Sequence, residues 1–245
     1  MSSPTGESPK TIVLISGANQ GVGFEIVKKL SNDPNFHILM GTRSLSNGQA
    51  AIASLPNGGV VVVEPIELDV TSDPSIAAAA SVVATKYGRL DVLINNAGIG
   101  PYAFPAEAST RERFTRIFST NVTGAACLTD AFIPLLQRSS QPRIIFVSSG
   151  VGSLSQTLDP SRAGVDAPAY KASKAAMNML MATYATKLTE DKWRVNSCTP
   201  RLSATAFTKG VGRDPSIGAG IACRLATGEV EGTGGFWDSD GTIAW

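Results

Sequence analysis

The chain has 245 residues, of which 43% are hydrophobic and 17% are charged, a composition that supports one sizeable folded core and argues against extensive disorder. The formal net charge is +1 and no run of Lys or Arg is present, so nothing favours nucleic acid or an acidic membrane surface as a partner. This composition favours small molecules as partners.

The cysteines and the first residues of the chain indicate the cellular compartment in which the protein is expected. Cys127, Cys198 and Cys223 are far apart, odd in number and without CxxC or Cys/His spacing, so we expect reduced thiols and no metal site. The polar start MSSPTGESPK lacks the build of a signal peptide, and no apolar run approaches membrane-spanning length. We therefore expect a cytoplasmic protein in which residues 1–9 are a flexible N-terminus.

Apolar segments and segments of helical spacing alternate along the chain. The apolar segments are short and rich in Val and Ile, which is typical of parallel strands buried on both faces. They are TIVLIS (11–16), HILMGT (37–42), VVVVEPIEL (60–68), LDVLINNA (90–97), RIIFVSS (143–149) and WRVNSCT (193–199). The helical segments are 21–31, 45–54, 73–87, 108–136, 168–190 and 214–228, followed by a short last strand within 232–245. This alternation predicts an α/β fold with a doubly wound parallel sheet of about seven strands and helices on both faces.

A glycine-rich turn follows the first predicted strand and opens the first predicted helix. In SGANQGVGF (16–24), Gly17, Gly21 and Gly23 have GxxxGxG spacing. Glycine lets the backbone approach a pyrophosphate, whose charge the free N–H groups and the helix dipole favour. A tight strand-to-helix connection without a ligand is the alternative.

The second predicted strand ends in GTRS, with Arg43 and no acidic residue. An acid at this point of a dinucleotide site accepts hydrogen bonds from the ribose, whereas an Arg suits a 2′-phosphate. Arg43 therefore favours NADPH over NADH, although a solvated loop arginine gives the same pattern.

In PAYKASKAAM (168–177), Tyr170 and Lys174 are one helical turn apart. An ammonium at i+4 lies on the same helix face and is expected to lower the pKa of the phenol, which could then exchange a proton with a carbonyl or alcohol oxygen. Taken alone, this pattern also fits an ordinary Tyr–Lys surface pair.

Several further motifs stand in register with this pair. They are GANQGVG (17–23), LDV (68–70), NNAG (95–98), NVTG (121–124), VSSGVG (147–152), YKASK (170–174) and CTPRLSAT (198–205). In order and separation they resemble the short-chain dehydrogenase/reductase family across nearly the whole chain, and the C-terminal motifs resemble its carbonyl-reductase-like branch. The resemblance implies a single-domain Rossmann fold over residues 10–245.

The resemblance also implies roles for individual residues. Tyr170 resembles the general acid, Lys174 the residue that lowers its pKa, Ser149 the group that hydrogen-bonds the substrate oxygen and Asn121 the asparagine of a proton relay. For Asn121 and the NNAG asparagines, a structural duty is an additional reading. The implied cofactor-binding residues are Gly17, Asn19, Gln20, Gly21, Val22, Gly23, Arg43, Asp69, Val70, Asn96, Ala97, Gly98, Tyr170, Lys174, Pro200, Leu202 and Thr205. No metal is implied.

The function implied is NADPH-dependent reduction of a ketone or aldehyde of a small organic metabolite. A cofactor-binding regulator or a non-redox catalyst on the same fold is the alternative. The motifs leave open whether the protein is a monomer or a homo-oligomer.

Two features set this chain apart within the resemblance, the Pro200-Arg201 pair and the segment 152–168. The usual Pro-Gly after the sixth strand is Pro200-Arg201, whose cation could reach an anionic group of the substrate or point into solvent. An extended segment, 152–168, separates Ser149 from Tyr170 and is expected to be a substrate-facing loop or short helix. The segment 202–216, called the lid below, corresponds to a mobile substrate-binding loop of the family, and Phe207 is its only aromatic residue.

Overall fold

The computed structural model describes residues 10–56, 61–161 and 166–245. Within these ranges one sheet contains eight strands in the order β3-β2-β1-β4-β5-β6-β7-β8. The strands are β1 (Thr11–Ile15), β2 (Phe36–Thr42), β3 (Val63–Glu67), β4 (Val92–Asn95), β5 (Arg143–Val147), β6 (Arg194–Cys198), β7 (Phe236–Asp238) and β8 (Gly241–Thr242). The first seven are parallel and the short β8 pairs antiparallel with β7.

Eight α-helices are present within the described ranges, and most of them pack on the two faces of this sheet. They are α1 (Gly21–Leu30), α2 (Leu45–Ala53), α3 (Asp73–Tyr87), α4 (Thr110–Phe118), α5 (Gly124–Leu136), α6 (Leu154–Leu158), α7 (Pro168–Lys187) and α8 (Pro215–Thr227). None of them is long and apolar enough to cross a membrane. The predicted doubly wound α/β fold is confirmed, and the one strand beyond the expected seven is β8, a two-residue return at the sheet edge.

The strands lack polar alternation because each of their faces is covered. On one face, strand side chains such as Leu14 and Phe146 pack with α3, α5 and α7. On the other, side chains such as Val13 and Ile94 pack with α1, α2 and α8. Both faces of a central strand are therefore buried in a hydrophobic core, as the Val- and Ile-rich segments predict.

Local sequence signals set the ends of several helices. The Ser72 hydroxyl caps α3 by accepting from the backbone N–H of Ser75, Pro74 lies in its first turn, and Gly88 ends the helix in a left-handed conformation. Helix α8 has the same arrangement, with Asp214 as the cap and Gly228 at its end.

The predicted single helix over 108–136 is two helices joined by a π-helical turn. Residues Ser119–Thr123 form this wider turn between α4 and α5. Such turns insert one residue into the helical repeat and are common at functional positions. Periodicity did not reveal the turn, because apolar residues continue on the same face on both sides of it.

Three predictions fall wholly or partly outside the described residues: the N-terminus over 1–9, the start of the third strand at residue 60, and part of the segment 152–168, where residues 162–165 are not described. The domain boundary at residue 10 stays a prediction. In the described part of 152–168, Leu154–Leu158 form helix α6, in agreement with the expected loop or short helix.

The sheet order places β1 beside β4, so the chain reverses its direction of winding between these two strands. At such a switch point, the loops after the two strands separate and leave a crevice at their carboxyl ends. The glycine-rich turn follows β1 and NNAG follows β4, so the fold itself brings two of the predicted motifs to one crevice.

Candidate active site

A cavity of about 1090 Å³ opens at the carboxyl ends of the parallel strands. Every residue predicted to bind the cofactor lines it, as do Ser149, Tyr170 and Lys174. Asn121, the remaining predicted catalytic residue, does not line the cavity and is fully buried behind it. The motifs that are scattered along the sequence therefore meet around one space.

The glycine-rich turn forms a cradle at one end of the cavity. Gly17 and Gly21 have φ of 61° and 58°, a left-handed conformation that glycine adopts without strain. At Gly23 a Cβ atom would lie 2.7 Å from the carbonyl oxygen of Gly17. No side chain caps α1 at Gln20, so the backbone N–H groups at this helix start are available to an anion. These residues fit the pyrophosphate of a dinucleotide.

The asparagine loop after β4 is tied to the glycine-rich turn. The side-chain amide of Asn96 donates to the carbonyl oxygens of Ser16 and Gly17 at 2.9 and 3.0 Å. The Ser16 hydroxyl oxygen in turn accepts from the backbone N–H groups of Asn96 and Ala97, each at 3.0 Å. Asn96 therefore has a structural role, which was one of the readings of the NNAG motif. Its side chain binds the loop after β4 to the glycine-rich turn.

Arg43 lines the cavity near Asp69. Although partial burial raises the pKa of Asp69, hydrogen bonds from Thr71 and the positive charge of Arg43 lower it overall. The Asp69 carboxylate accepts from the Thr71 backbone N–H at 2.9 Å and from its hydroxyl at 2.7 Å. Arg43 is exposed and is available for a phosphate.

Tyr170 and Ser149 form a hydrogen-bonded pair in the cavity wall. Burial raises the pKa of Tyr170 to about 12, and the bond with Ser149 offsets part of this rise. The neighbouring Ser148 has a different role, because its hydroxyl donates to the Lys174 carbonyl oxygen at 3.2 Å and holds α7 against β5. The phenol is therefore protonated at neutral pH, the form that a proton donor needs.

The net shift of the Tyr170 pKa is opposite to the lowering that the helix spacing predicts, because burial raises it. Nζ of Lys174 lies 5.7 Å from the centre of the Tyr170 ring and donates to the Val147 carbonyl oxygen at 2.8 Å. Burial lowers the pKa of Lys174 to about 8. Desolvation is the largest cause of both shifts, and sequence spacing carries no information on burial.

Asn121 lies in the π-helical turn, and its side chain supports the neighbouring loop. Its Oδ1 accepts from the Ile99 backbone N–H at 2.8 Å, and its Nδ2 donates to the Ile99 carbonyl oxygen at 3.0 Å. Nδ2 also donates to the Ser173 hydroxyl oxygen at 3.1 Å, on the helix that carries Tyr170. Asn121 thus connects the loop after β4 to α7.

Arg201 lines the cavity with a side chain that is 43% exposed, and its guanidinium is paired with two carboxylates. Its Nε donates to Oδ2 of Asp238 at 2.9 Å, and its guanidinium also bonds to Asp240. The backbone has φ of 55° at this non-glycine position. The side chain is bound to two carboxylates of the β7–β8 turn, so the cation does not stand free toward a substrate.

The C-terminal residues form a part of the site that sequence reasoning missed. Asp238 and Ile243 line the cavity, and the last residues are held by α6, since the Ser153 hydroxyl donates to the Ala244 carbonyl oxygen at 2.7 Å. The Ser155 backbone N–H donates to the Trp245 carbonyl oxygen at 3.0 Å. The sequence signal was a Gly-containing turn after the last strand, which did not show where the tail would lie.

Among the described residues, no group of three His, Cys, Asp or Glu side chains is placed to hold a metal ion. The lone His37 lies at a distance from the cavity wall, with Nε2 at 3.1 Å from Oε1 of Glu64 and 3.2 Å from the Tyr87 hydroxyl. The polar chemistry of the cavity rests on the hydroxyl, amine and carboxylate groups described above.

Comparison with known proteins gives consistent matches over most of the chain. The family model described as short chain dehydrogenase matches residues 11–216. A short-chain dehydrogenase/reductase of Talaromyces stipitatus is 38% identical, with 92% of each chain covered. The structure of salutaridine reductase from Papaver somniferum has a TM-score of 0.79 at 26% identity and covers 94% of this chain and 100% of that one. The NADPH-bound carbonyl reductase from chicken fatty liver has a TM-score of 0.80 at 26% identity and covers 97% and 100%.

Proposed function

Because the chain belongs to the short-chain dehydrogenase/reductase family, we propose that it reduces the carbonyl group of a small organic metabolite, a ketone or an aldehyde, with NADPH. The observation that carries this proposal is the Tyr170–Ser149 pair in the wall of the cavity whose other end is the glycine cradle. A proton donor and an anion-binding turn that face one space are what cofactor-dependent carbonyl reduction requires.

The cofactor would lie along the cavity from Arg43 to Tyr170. Gly17, Gly21 and Gly23 would hold the pyrophosphate, and Arg43 would pair with the 2′-phosphate that distinguishes NADPH from NADH. When bound, the reduced nicotinamide supplies a hydride to the carbonyl carbon. The other proposed contacts follow the cavity wall: Asn19, Gln20, Val22, Asp69, Val70, Asn96, Ala97, Gly98, Lys174, Pro200, Leu202 and Thr205.

The residues of this chain would supply the proton and stabilise the developing charge. Tyr170 donates its phenolic proton to the carbonyl oxygen, and the Ser149 hydroxyl donates a hydrogen bond to the same oxygen. The carbonyl thereby gains a hydride and a proton and becomes an alcohol, and Tyr170 is left as a phenolate. The Lys174 ammonium, one helical turn away, stabilises that negative charge. Asn121 holds the loop and helix that carry these groups in place.

Replacement of Tyr170 by Phe tests the proposal. Tyr170→Phe keeps the ring and removes the proton, so NADPH oxidation in the presence of a carbonyl substrate should fall by at least about a hundredfold while the Kd for NADPH stays unchanged. Tyr87→Phe is the matched control, because Tyr87 lies away from the cavity and bonds to Glu64 and His37.

The outcome separates the proposal from its alternative. If wild-type protein binds NADPH and reduces no member of a panel of ketones and aldehydes, a regulator or non-redox catalyst on this fold takes its place. If Tyr170→Phe retains wild-type turnover, Tyr170 is not the proton donor.

A further inference from the structure

The lid is closed at its base by hydrogen bonds between its two ends. The Ala204 backbone N–H donates to the Arg213 carbonyl oxygen at 2.8 Å, and the Arg213 backbone N–H donates to the Leu202 carbonyl oxygen at 3.0 Å. The Arg213 side chain also donates to the Pro200 carbonyl oxygen at 3.2 Å. These bonds define where the intervening residues can lie.

The tip of the lid is a single 3₁₀ turn that presents Phe207. The Thr205 backbone N–H donates to the Thr208 hydroxyl oxygen at 3.1 Å, and the Thr205 side chain accepts in return from the Thr208 backbone N–H. A reciprocal cap of this kind fixes the first turn of a helix. Phe207 is therefore carried on a bonded turn.

The Phe207 ring lies directly on Gly100. A Cβ atom at residue 100 would lie 2.6 Å from both Cε1 and Cζ of that ring, closer than carbon atoms approach. The backbone at Gly100 has φ of −114° and ψ of −176°, which any residue adopts. A side chain at position 100 would therefore have to displace the Phe207 ring, whereas the backbone there accepts any residue.

The same ring lies beside the proposed proton donor. The ring centres of Phe207 and Tyr170 are 5.7 Å apart with an interplanar angle of 59°, a favourable tilted arrangement. A carbonyl oxygen bonded to Tyr170 thus has its substituents next to Phe207. A second contact links the lid to the loop after β4, since Nζ of Lys209 lies 5.0 Å from the centre of the Tyr102 ring.

Several apolar side chains line the cavity that Phe207 also lines. Ile99, Val151, Val211 and Ile243 line it, and the positive charge of Arg201 is already paired with two carboxylates. The cavity therefore offers apolar and aromatic contact to a substrate.

We propose that Phe207, seated on Gly100, selects substrates that carry a flat apolar ring on the carbonyl carbon. This inference rests on the proposed carbonyl reduction and names the substrate class of that site. The ring of the substrate packs against Phe207 while the oxygen meets Tyr170, so Phe207 and Gly100 determine specificity and do not take part in proton transfer.

Two ketones with the same number of carbon atoms test the proposal: acetophenone, which has a ring, and methyl hexyl ketone, which has a chain. Phe207→Ala should lower kcat/KM for acetophenone about tenfold, chiefly through KM, and change that for methyl hexyl ketone less than about twofold. Phe207→Leu keeps apolar bulk without a flat ring, so it should lose the same preference.

Gly100→Ala tests the contact between the Phe207 ring and Gly100 without altering Phe207. It should displace the ring and reduce the preference for acetophenone as Phe207→Ala does, and it should have no further effect in the Phe207→Ala background. Gly220→Ala is the matched control, because a Cβ there meets no atom within 4 Å.

Two results would overturn the inference in distinguishable ways. If both ketones are reduced and the ratio of their kcat/KM values is the same in the wild type, Phe207→Ala and Phe207→Leu, the proposed selectivity is wrong. The proposed carbonyl reduction then still stands. Failure of the wild-type protein to reduce either ketone or any other carbonyl compound removes the proposed function and the selectivity together. Should Gly100→Ala not fold, the two Phe207 variants decide the question.

Discussion

The guanidinium of Arg201 and the carboxylate of Asp238 join the ends of two neighbouring strands, with Nε donating to Oδ2 at 2.9 Å. Arg201 follows β6 and Asp238 ends β7, so the ion pair holds the β7–β8 turn against the cavity, which Asp238 lines. The backbone of Arg201 has φ of 55°, a left-handed conformation that is unfavourable for a residue with a Cβ atom. Strain and ion pairing are thus present in one residue.

A pair of substitutions separates these two effects. Arg201→Gly and Arg201→Ala both remove the ion pair, but only the glycine variant relieves the left-handed backbone. We expect the glycine variant to unfold with a free energy about 1 kcal/mol higher than that of the alanine variant, as measured by urea denaturation. Equal stabilities of the two variants would show that the backbone is not strained at this position.

The burial of Lys174 predicts a dependence of stability on pH. Its pKa falls from 10.5 in the unfolded chain to about 8 in the folded one, so its contribution is present above pH 10.5 and is lost as pH falls through 8. Between pH 7.5 and 10, the wild-type protein should therefore gain about 2 kcal/mol in free energy of unfolding relative to Lys174→Met. Urea denaturation of both proteins at each pH measures this difference, and parallel pH profiles would contradict it.

Asn121 should contribute to stability apart from any part in catalysis. Asn121→Leu removes the three hydrogen bonds to Ile99 and Ser173, two of which satisfy backbone groups, so the free energy of unfolding should fall by about 3 kcal/mol. Ser173→Ala removes one of these bonds and should cost about 1 kcal/mol. A smaller loss for Asn121→Leu than for Ser173→Ala would show that the loop after β4 does not depend on Asn121.

Arg43 should determine the preference between the two nicotinamide cofactors. Arg43→Ala removes the charge-assisted contact proposed for the 2′-phosphate, so the Kd for NADPH should rise about 30-fold while that for NADH stays the same. Titration calorimetry measures both constants. Lys28→Ala removes a positive charge that does not line the cavity and serves as the control. A parallel weakening of NADH binding would assign Arg43 to another part of the cofactor.

Gly23 should tolerate no side chain. In Gly23→Ala, the added Cβ would lie 2.4 Å from Nδ2 of Asn96 and 2.7 Å from the Gly17 carbonyl oxygen, so Asn96 must leave its bonds to the glycine-rich turn. We expect a loss of about 2 kcal/mol in stability and a loss of NADPH binding. Gly220→Ala, which adds the same methyl group in open space within α8, should not lower stability and should leave NADPH binding unchanged.

The order of strands and helices could be predicted because the central strands are buried on both faces and several helices carry their own start and stop signals. The segments 11–16 and 37–42 predict β1 and β2 to within a residue, and Ser72 with Gly88 marks the limits of α3. The family matches confirm the resemblance drawn from the motifs. These features are local, so the neighbouring residues contain the necessary information.

The contacts of individual side chains were decided by the tertiary structure. The sequence predicted Tyr170 and Lys174 on one helix turn, but the burial that raises one pKa and lowers the other depends on strands far away in the chain. Likewise, nothing near Arg201 in sequence indicates Asp238, and nothing near Gly100 indicates Phe207. The sequence by itself determined the fold, the glycine cradle and the set of polar groups around the cavity. Only folding decided which charges are paired and which ring lies over the proposed proton donor, because those depend on distances between residues that are remote in sequence.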